Sequence, residues 1–295
     1  METTLHELVL RSASLEVVLL PELGVRIHRI RARGHDLLRT PRDPRTHAAD
    51  PFFWGAYPMA PWCNRAPAGS QTIAGRDVRL RPNFPDGSAI HGLVHDAPWT
   101  LGEDGVLSIR AGGDGEPWPW AFEVSLVPSV EGDVLSLGYR LANRSEAPMP
   151  AGLGLHPWFR RPLRVKVAAE RVYRTNTASP PEPEPTTGPF DLGDLAEPPA
   201  GLDGTWVGLS PHVIRLDWPD LDLAATLEIS SGVEPLVAMA SPATIDAIAI
   251  EPQTHGPNPF RRLADGEPDA PTLLDPGGEL RLDLRLNVER ARNLQ

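Results

Sequence analysis

The segment Leu280-Arg281-Leu282-Asp283-Leu284-Arg285-Leu286-Asn287-Val288 decides the fold class. Apolar and polar residues alternate without a break, so an extended chain has one face of leucine and valine and one polar face. A period of two marks a half-buried β-strand; a helix would scatter the same residues around its circumference. Leu135, Leu137, Tyr139 and Leu141 repeat the pattern, as do shorter runs at Leu221–Ser230, Val78–Arg81 and Val124–Val127. No stretch of a dozen residues carries a helical period. The 26 glycines and 34 prolines make up about a fifth of the 295 residues. Proline at that density breaks helices and removes donors from strands, which predicts short elements joined by many turns. The expectation is an all-β chain, a large antiparallel sandwich or barrel, folded as one domain over residues 1–295. Two stretches, Thr40–Asn64 and Thr175–Pro211, read as long irregular loops, the second containing the Pro/Glu run Pro180–Pro185.

Composition excludes several classes of function. There is no run of about 20 apolar residues to span a membrane. Met1–Leu10 has no basic stretch before an apolar one, so no secretory signal is expected, and residence in the cytoplasm is. With 28 basic and 39 acidic residues the net charge is −11, the wrong sign for a nucleic-acid partner. The single cysteine, Cys63, excludes an intrachain disulfide and a thiolate zinc cluster. Phosphate-binding glycine loops and the Gly-x-Ser-x-Gly nucleophile motif are both missing.

Three segments place His and Glu in unusual company. They are Ile90-His91-Gly92-Leu93-Val94-His95-Asp96-Ala97-Pro98-Trp99, Gly152-Leu153-Gly154-Leu155-His156-Pro157-Trp158-Phe159 and Ile245-Asp246-Ala247-Ile248-Ala249-Ile250-Glu251-Pro252-Gln253-Thr254-His255. Taken as strands, the second puts Gly152, Gly154 and His156 on one face, and the third puts Ala247, Ala249 and Glu251 on one face. In each, a titratable group ends a row of very small side chains. A glycine in a strand often marks close approach of a ligand or another backbone. The two strands together suggest the floor of a cleft with His156 and Glu251 at its rim. A bland alternative stands beside this: a structural histidine and a solvated glutamate. His91, His95 and His156 could also supply three metal ligands, but Gly92 and Pro98 oppose the helix that would bring the first two onto one face. No metal and no cofactor are expected.

Together with Pro61-Trp62-Cys63-Asn64-Arg65, these segments resemble the aldose 1-epimerase (galactose mutarotase) family. The order is Asn-Arg, then His-Gly with a tryptophan seven residues after the glycine, then His-Pro-aromatic-Phe, then Glu-Pro-Gln-Thr. Gly69 and Gly75 follow the first motif, and Pro117-Trp118-Pro119-Trp120 lies between the second and third. The resemblance spans about residues 10–290. It implies a galactose mutarotase-like β-supersandwich and an isomerase that interconverts the α and β anomers of a free aldose without a cofactor.

Carried onto this chain, the resemblance makes Glu251 the general base and His156 the general acid. Arg65, His91, Asn64 and Trp158 would hold the sugar. Asp203, in Leu202-Asp203-Gly204-Thr205-Trp206, is the match for a further acidic residue before an aromatic. A carboxylate and an imidazole, with ordinary pKa values of about 4.3 and 6.5, suit two proton transfers near neutral pH. Trp62, Trp99 and Trp158 offer flat surfaces for a pyranose, with core packing as the alternative. Cys63, His95 and Trp158 depart from the usual family residues and leave the choice of aldose open. The partner is a monosaccharide, with no nucleic acid and no membrane, and the chain is a monomer or homodimer. Two other readings stand: a hexose-6-phosphate 1-epimerase, with Arg160 and Arg161 meeting the phosphate, and a sugar-binding module of the same fold without catalysis.

Overall fold

The computed structural model describes residues 5–174 and 182–291. Among them, 17 strands join in one sheet, accompanied by three two-stranded pieces. The strand read from Leu280–Val288 runs from Glu279 to Arg290 and is central. Val134–Asn143 pairs on one side of it, with Leu135 opposite Leu286 and Leu137 opposite Leu284. Leu223–Ser231 pairs on the other, with Leu227 opposite Leu286 and Ile229 opposite Leu284. The alternating leucines therefore align as continuous apolar rows across three strands, and all of them are buried. Burying such a side chain is worth about 1.5–3 kcal/mol, which is why this register and no neighbouring one is adopted.

The sheet closes around a second line of strands. Leu202–Trp218 pairs along its first half with Leu236–Ser241 and along its second half with Leu223–Ser231. One strand thus carries the sheet from the leucine rows to the other layer. From Leu236–Ser241 the ladder continues through Ala247–Gln253, Gly154–Arg160 and Ala56–Met59, every step antiparallel. Helices are short: Thr46–Ala49 and Pro259–Asp265. None of the described helices is long and apolar enough to cross a membrane.

Both stretches expected to be irregular contain regular structure. Thr40–Asn64 holds the Thr46–Ala49 helix and the Ala56–Met59 strand. Residues 175–181, with Pro180 and Pro181, lie outside the described residues. Further on, Leu202–Pro211 belongs to a 17-residue strand. Its alternation was hidden because Gly204 takes a core-facing position in the row Leu202, Gly204, Trp206. Pro211 sits where pairing with the Arg164–Arg174 strand is interrupted, between Leu209 and Ile214, so it costs no ladder hydrogen bond.

Candidate active site

Strand register builds the site. His156 lies opposite Tyr57, Glu251 opposite Ala238, and Ala238 opposite Thr205. On either side of His156 and Glu251 the pairs Gly154–Gln253 and Trp158–Ala249 set the register, which places those two residues opposite each other. Directly paired residues point to the same face. Tyr57, His156, Glu251, Ala238 and Thr205 therefore form one row across five strands. The next row holds Trp158, Ala249, Ala240 and Asp203. A cavity of about 650 Å³ stands over both rows, walled by Phe52, Phe53, Phe84 and Trp158, with Arg65 and Asp86 also lining it.

At the floor, His156 Nε2 is 3.1 Å from Glu251 Oε1. The two residues are only 5% and 4% exposed, so they are the bottom of the cleft and not its rim. The small-residue rows also differ from expectation. Gly152 precedes the strand, and a Cβ there would meet His255 at 2.2 Å. A Cβ on Gly154 would meet Met59 Cε at 2.6 Å and Cys63 Sγ at 2.8 Å. Protein side chains, not a ligand, fill that face. Ala247 and Ala249 make room for Trp158, which packs against both.

Burial acts on the pair in opposite directions. It pushes Glu251 up to about 8, with Asp203 nearby adding to the rise and Arg65 opposing it. It pulls His156 down to about 3, with Arg26, His95 and Arg65 contributing. Both partners are driven toward their uncharged forms, so near neutral pH the pair holds one proton between them.

His91 is positioned by a reciprocal contact with Asn64. The His91 N–H donates to the Asn64 carbonyl at 3.2 Å, and the Asn64 N–H donates to His91 Nδ1 at 3.3 Å. Asn64 Nδ2 in turn donates to Gln253 Oε1 at 3.2 Å, two residues beyond Glu251. Asn64, His91 and Asn258 all line the cavity and have positive φ angles of 59°, 61° and 57°. For histidine that conformation costs about 1 kcal/mol or more, a strain characteristic of functional sites.

The side-chain atoms of His91, His156 and Glu251 that could ligate a metal lie within 4.8 Å of one another. Glu251, and not His95, completes this trio. The hydrogen bonding does not fit a metal: with Nδ1 of His91 accepting from Asn64, the ring proton of the neutral imidazole is on Nε2. That nitrogen is a donor and has no lone pair to give.

The remaining candidates divide. Arg65 stands half exposed at the mouth, its Nε donating to Asp86 Oδ2 at 2.7 Å. Asp203 lines the cavity, as does Trp158, whose Nε1 donates to the Phe52 carbonyl at 2.6 Å. His95 is excluded from the cavity and packs behind it against Phe52 and Tyr57. Trp62 is core, packed at an angle against Trp118 and edge-on to Phe260, and Trp99 is core, its Nε1 donating to the Val94 carbonyl. Neither offers a sugar platform. Arg160 pairs with Asp220, and Arg161 with Glu197; neither lines this cavity.

Sequence reasoning missed Tyr57, Thr205 and the phenylalanine wall. Tyr57 stacks on His156 with ring centroids 4.6 Å apart. The buried hydroxyl of Thr205 and Oε2 of Glu251 have no protein partner. Thr205 stood two residues from Asp203 in an alternating run and could have been found from that spacing; the wall could not.

The aldose 1-epimerase family model matches residues 6–237. Glu251 lies beyond that match, but the structural likeness reaches it. A putative aldose 1-epimerase from Escherichia coli K12 superposes with a TM-score of 0.81 at 22% identity, covering 97% of this chain and 100% of that one. A galactose mutarotase-like protein from Clostridium acetobutylicum gives 0.78 at 16%, covering 97% and 98%. A galactose 1-epimerase from Lactobacillus acidophilus NCFM gives 0.75 at 15%, covering 99% and 98%. No curated protein sequence matches. The antiparallel supersandwich is thus a galactose mutarotase-like fold, and the chain belongs to the aldose 1-epimerase family.

Proposed function

We propose that this protein is a mutarotase, catalysing exchange between the α and β anomers of a free aldose. The observation that carries the reading is the His156–Glu251 pair, 3.1 Å apart at the floor of a sugar-sized cavity. With the shared proton on His156, Glu251 takes the proton from O1 while His156 protonates O5 and the C1–O5 bond breaks. The pair is then neutral and the sugar is an open aldehyde. Rotation about C1–C2 presents the other carbonyl face. His156 takes the O5 proton as O5 attacks C1, Glu251 returns a proton to O1, and the starting charges are restored. No atom or electron is left over, so the cycle needs no cofactor. Burial favours the neutral pair, so the charged form that begins ring opening is reached by moving the shared proton from Glu251 to His156, and ring opening returns the pair to its neutral form.

The ring lies over Ala238 and Ala240, with C1 toward the pair and the distal hydroxyls toward Asp203 and Thr205. Strands are about 4.8 Å apart, so the two inter-strand spacings from Glu251 across Ala238 to Thr205 give a pyranose its width. His91 Nε2–H donates to the sugar, Trp158 and the phenylalanines cover its apolar face, and Arg65 with Asn64 closes the mouth.

A free sugar fits better than a phosphorylated one. Arg65 is the one lysine or arginine among the lining residues and already faces Asp86, while Asp203 and Glu251 add acid. Polarimetry on freshly dissolved α-D-glucose, α-D-galactose and α-D-glucose 6-phosphate tests this. The expected result is acceleration of a free sugar and little of the phosphate; the reverse order would make the phosphate ester the substrate. Binding of sugars with no acceleration of any would leave a carbohydrate-binding protein.

A further inference from the structure

The most unusual charge in the molecule is not in the cavity. Arg26, on the Arg26–Ala32 strand, is 1% exposed, and no carboxylate among the described residues lies within ion-pair distance of it. Its guanidinium donates to three backbone carbonyls: Pro51 at 2.8 Å, Trp54 at 3.0 Å and His95 at 3.2 Å. Burial lowers its pKa only to about 10, so it is charged at neutral pH. A buried cation held by carbonyls alone is expensive, and a neutral side chain could fill the same space.

Its position explains its presence. The Arg26 Cζ lies 4.5 Å from the centroid of the Tyr57 ring, and His156 is stacked on the same ring at 4.6 Å with planes 21° apart. One ring face cannot take both groups, so Arg26 and His156 lie on opposite faces of Tyr57. The stack runs Arg26, Tyr57, His156, Glu251. Arg26 also ties Pro51 and Trp54, the two ends of the segment bearing Phe52 and Phe53. The carbonyls between them are held by Tyr57 Oη and Trp158 Nε1 at Phe52 and by Arg39 at Phe53.

We propose that Arg26 is a positioning residue of the proton-transfer pair, which fixes the His156 ring through Tyr57 and, by its buried charge, weakens the pair's hold on its shared proton. The inference rests on the mutarotase reading for its kinetic consequence but not for its electrostatic one. A unit charge about one ring away, at an effective dielectric near 20, shifts a proton equilibrium by about one pH unit. The other groups facing the pair are His91, Tyr57, Cys63, Arg65 and Asp203, with His95 behind Tyr57 and Asp50 and Asp96 nearest to Arg26. None of them changes when Arg26 is replaced.

The test compares Arg26→Met, similar in length and neutral, with Arg26→Lys, which keeps the charge without the three-carbonyl clasp. Arg26→Gln replaces the methionine variant if that protein does not fold. The first readout needs no substrate: the infrared band of the protonated Glu251 carboxyl, assigned by its loss in Glu251→Gln, followed against pH. It should titrate about one unit higher in Arg26→Met and near the wild-type value in Arg26→Lys. The second is the alkaline limb of kcat/KM for mutarotation, which should move up with the band in Arg26→Met while the plateau falls in both variants. A lower plateau with an unmoved band and limb would make Arg26 a structural clasp and overturn the proposal. A shifted band in a protein that accelerates no sugar would keep the electrostatic proposal and remove the mutarotase reading.

Discussion

At the scale of single residues, Glu251 sets the pH behaviour. A carboxyl whose folded value lies above its unfolded one is ionised in the unfolded chain and protonated in the folded chain between the two. Its contribution to stability is complete below about 4.5 and is lost as pH rises toward 8. Glu251→Gln removes that loss, so the variant should melt a few degrees higher than wild type at pH 7, with the gap closing at pH 4; calorimetry at the two pH values checks it. Activity should fall as pH rises through about 8, when the pair gives up its remaining proton, read from kcat/KM against pH. Ala238 is the second informative residue. It lies between Glu251 and Thr205 in the row, and its small side chain leaves the floor open. Ala238→Leu should lower kcat/KM by about 100-fold or more while the melting temperature stays within a few degrees, since the added atoms enter the cavity and not the core. Loss of folding with loss of activity would show that the floor is packed.

At the scale of elements, turns fix what strands present. Gly92 has φ +77°, and a Cβ there would lie 1.9 Å from the Ala60 carbonyl oxygen; the Gly154 Cβ would meet the ends of flexible side chains at 2.6 and 2.8 Å. Backbone cannot yield as a methionine tip can. Gly92→Ala should therefore destabilise more than Gly154→Ala, for which overpacking costs about 1–3 kcal/mol; urea melts of the two variants rank them. These elements also mark how much could be read in advance. The alternation of Leu280–Val288 and Leu135–Leu141 was legible because one face of each strand is leucine. His156 and Glu251 were legible as titratable groups in line with small residues, but they lie inside the Gly154–Arg160 and Ala247–Gln253 strands and not at their ends, and the reason for the small residues was not legible: Gly154 admits Met59 and Cys63, and Ala249 admits Trp158. Which residues face each other is a matter of register, and nothing local to Ala56–Met59 or Leu236–Ser241 announces that they flank His156 and Glu251. Likewise the wall is assembled by contacts from other segments of the chain: Trp158 at Phe52, Arg39 at Phe53 and Arg65 at Phe84.

At the scale of the whole molecule, the supersandwich separates support from chemistry. The leucine rows of Val134–Asn143, Glu279–Arg290 and Leu223–Ser231 carry the core, and the strands from Leu202–Trp218 to Ala56–Met59 carry the cavity. Leu284→Ala, in the middle of those rows, should cost about 2–5 kcal/mol of stability and leave kcat unchanged in the protein that remains folded, as measured by denaturant titration and by polarimetry below the midpoint. Arg160 and Arg161, paired with Asp220 and Glu197 away from the cavity, should likewise be replaceable by alanine without altering sugar preference. The measurement closest to the central claim is the rate of anomer exchange of α-D-galactose and α-D-glucose, followed by polarimetry, with wild-type protein and with Glu251→Gln at equal concentration, alongside calorimetric binding of the same sugars. Wild-type protein is expected to accelerate exchange of at least one of them, and Glu251→Gln to lose about 100-fold or more of that acceleration while still binding the sugar. Acceleration that survives Glu251→Gln would contradict the account.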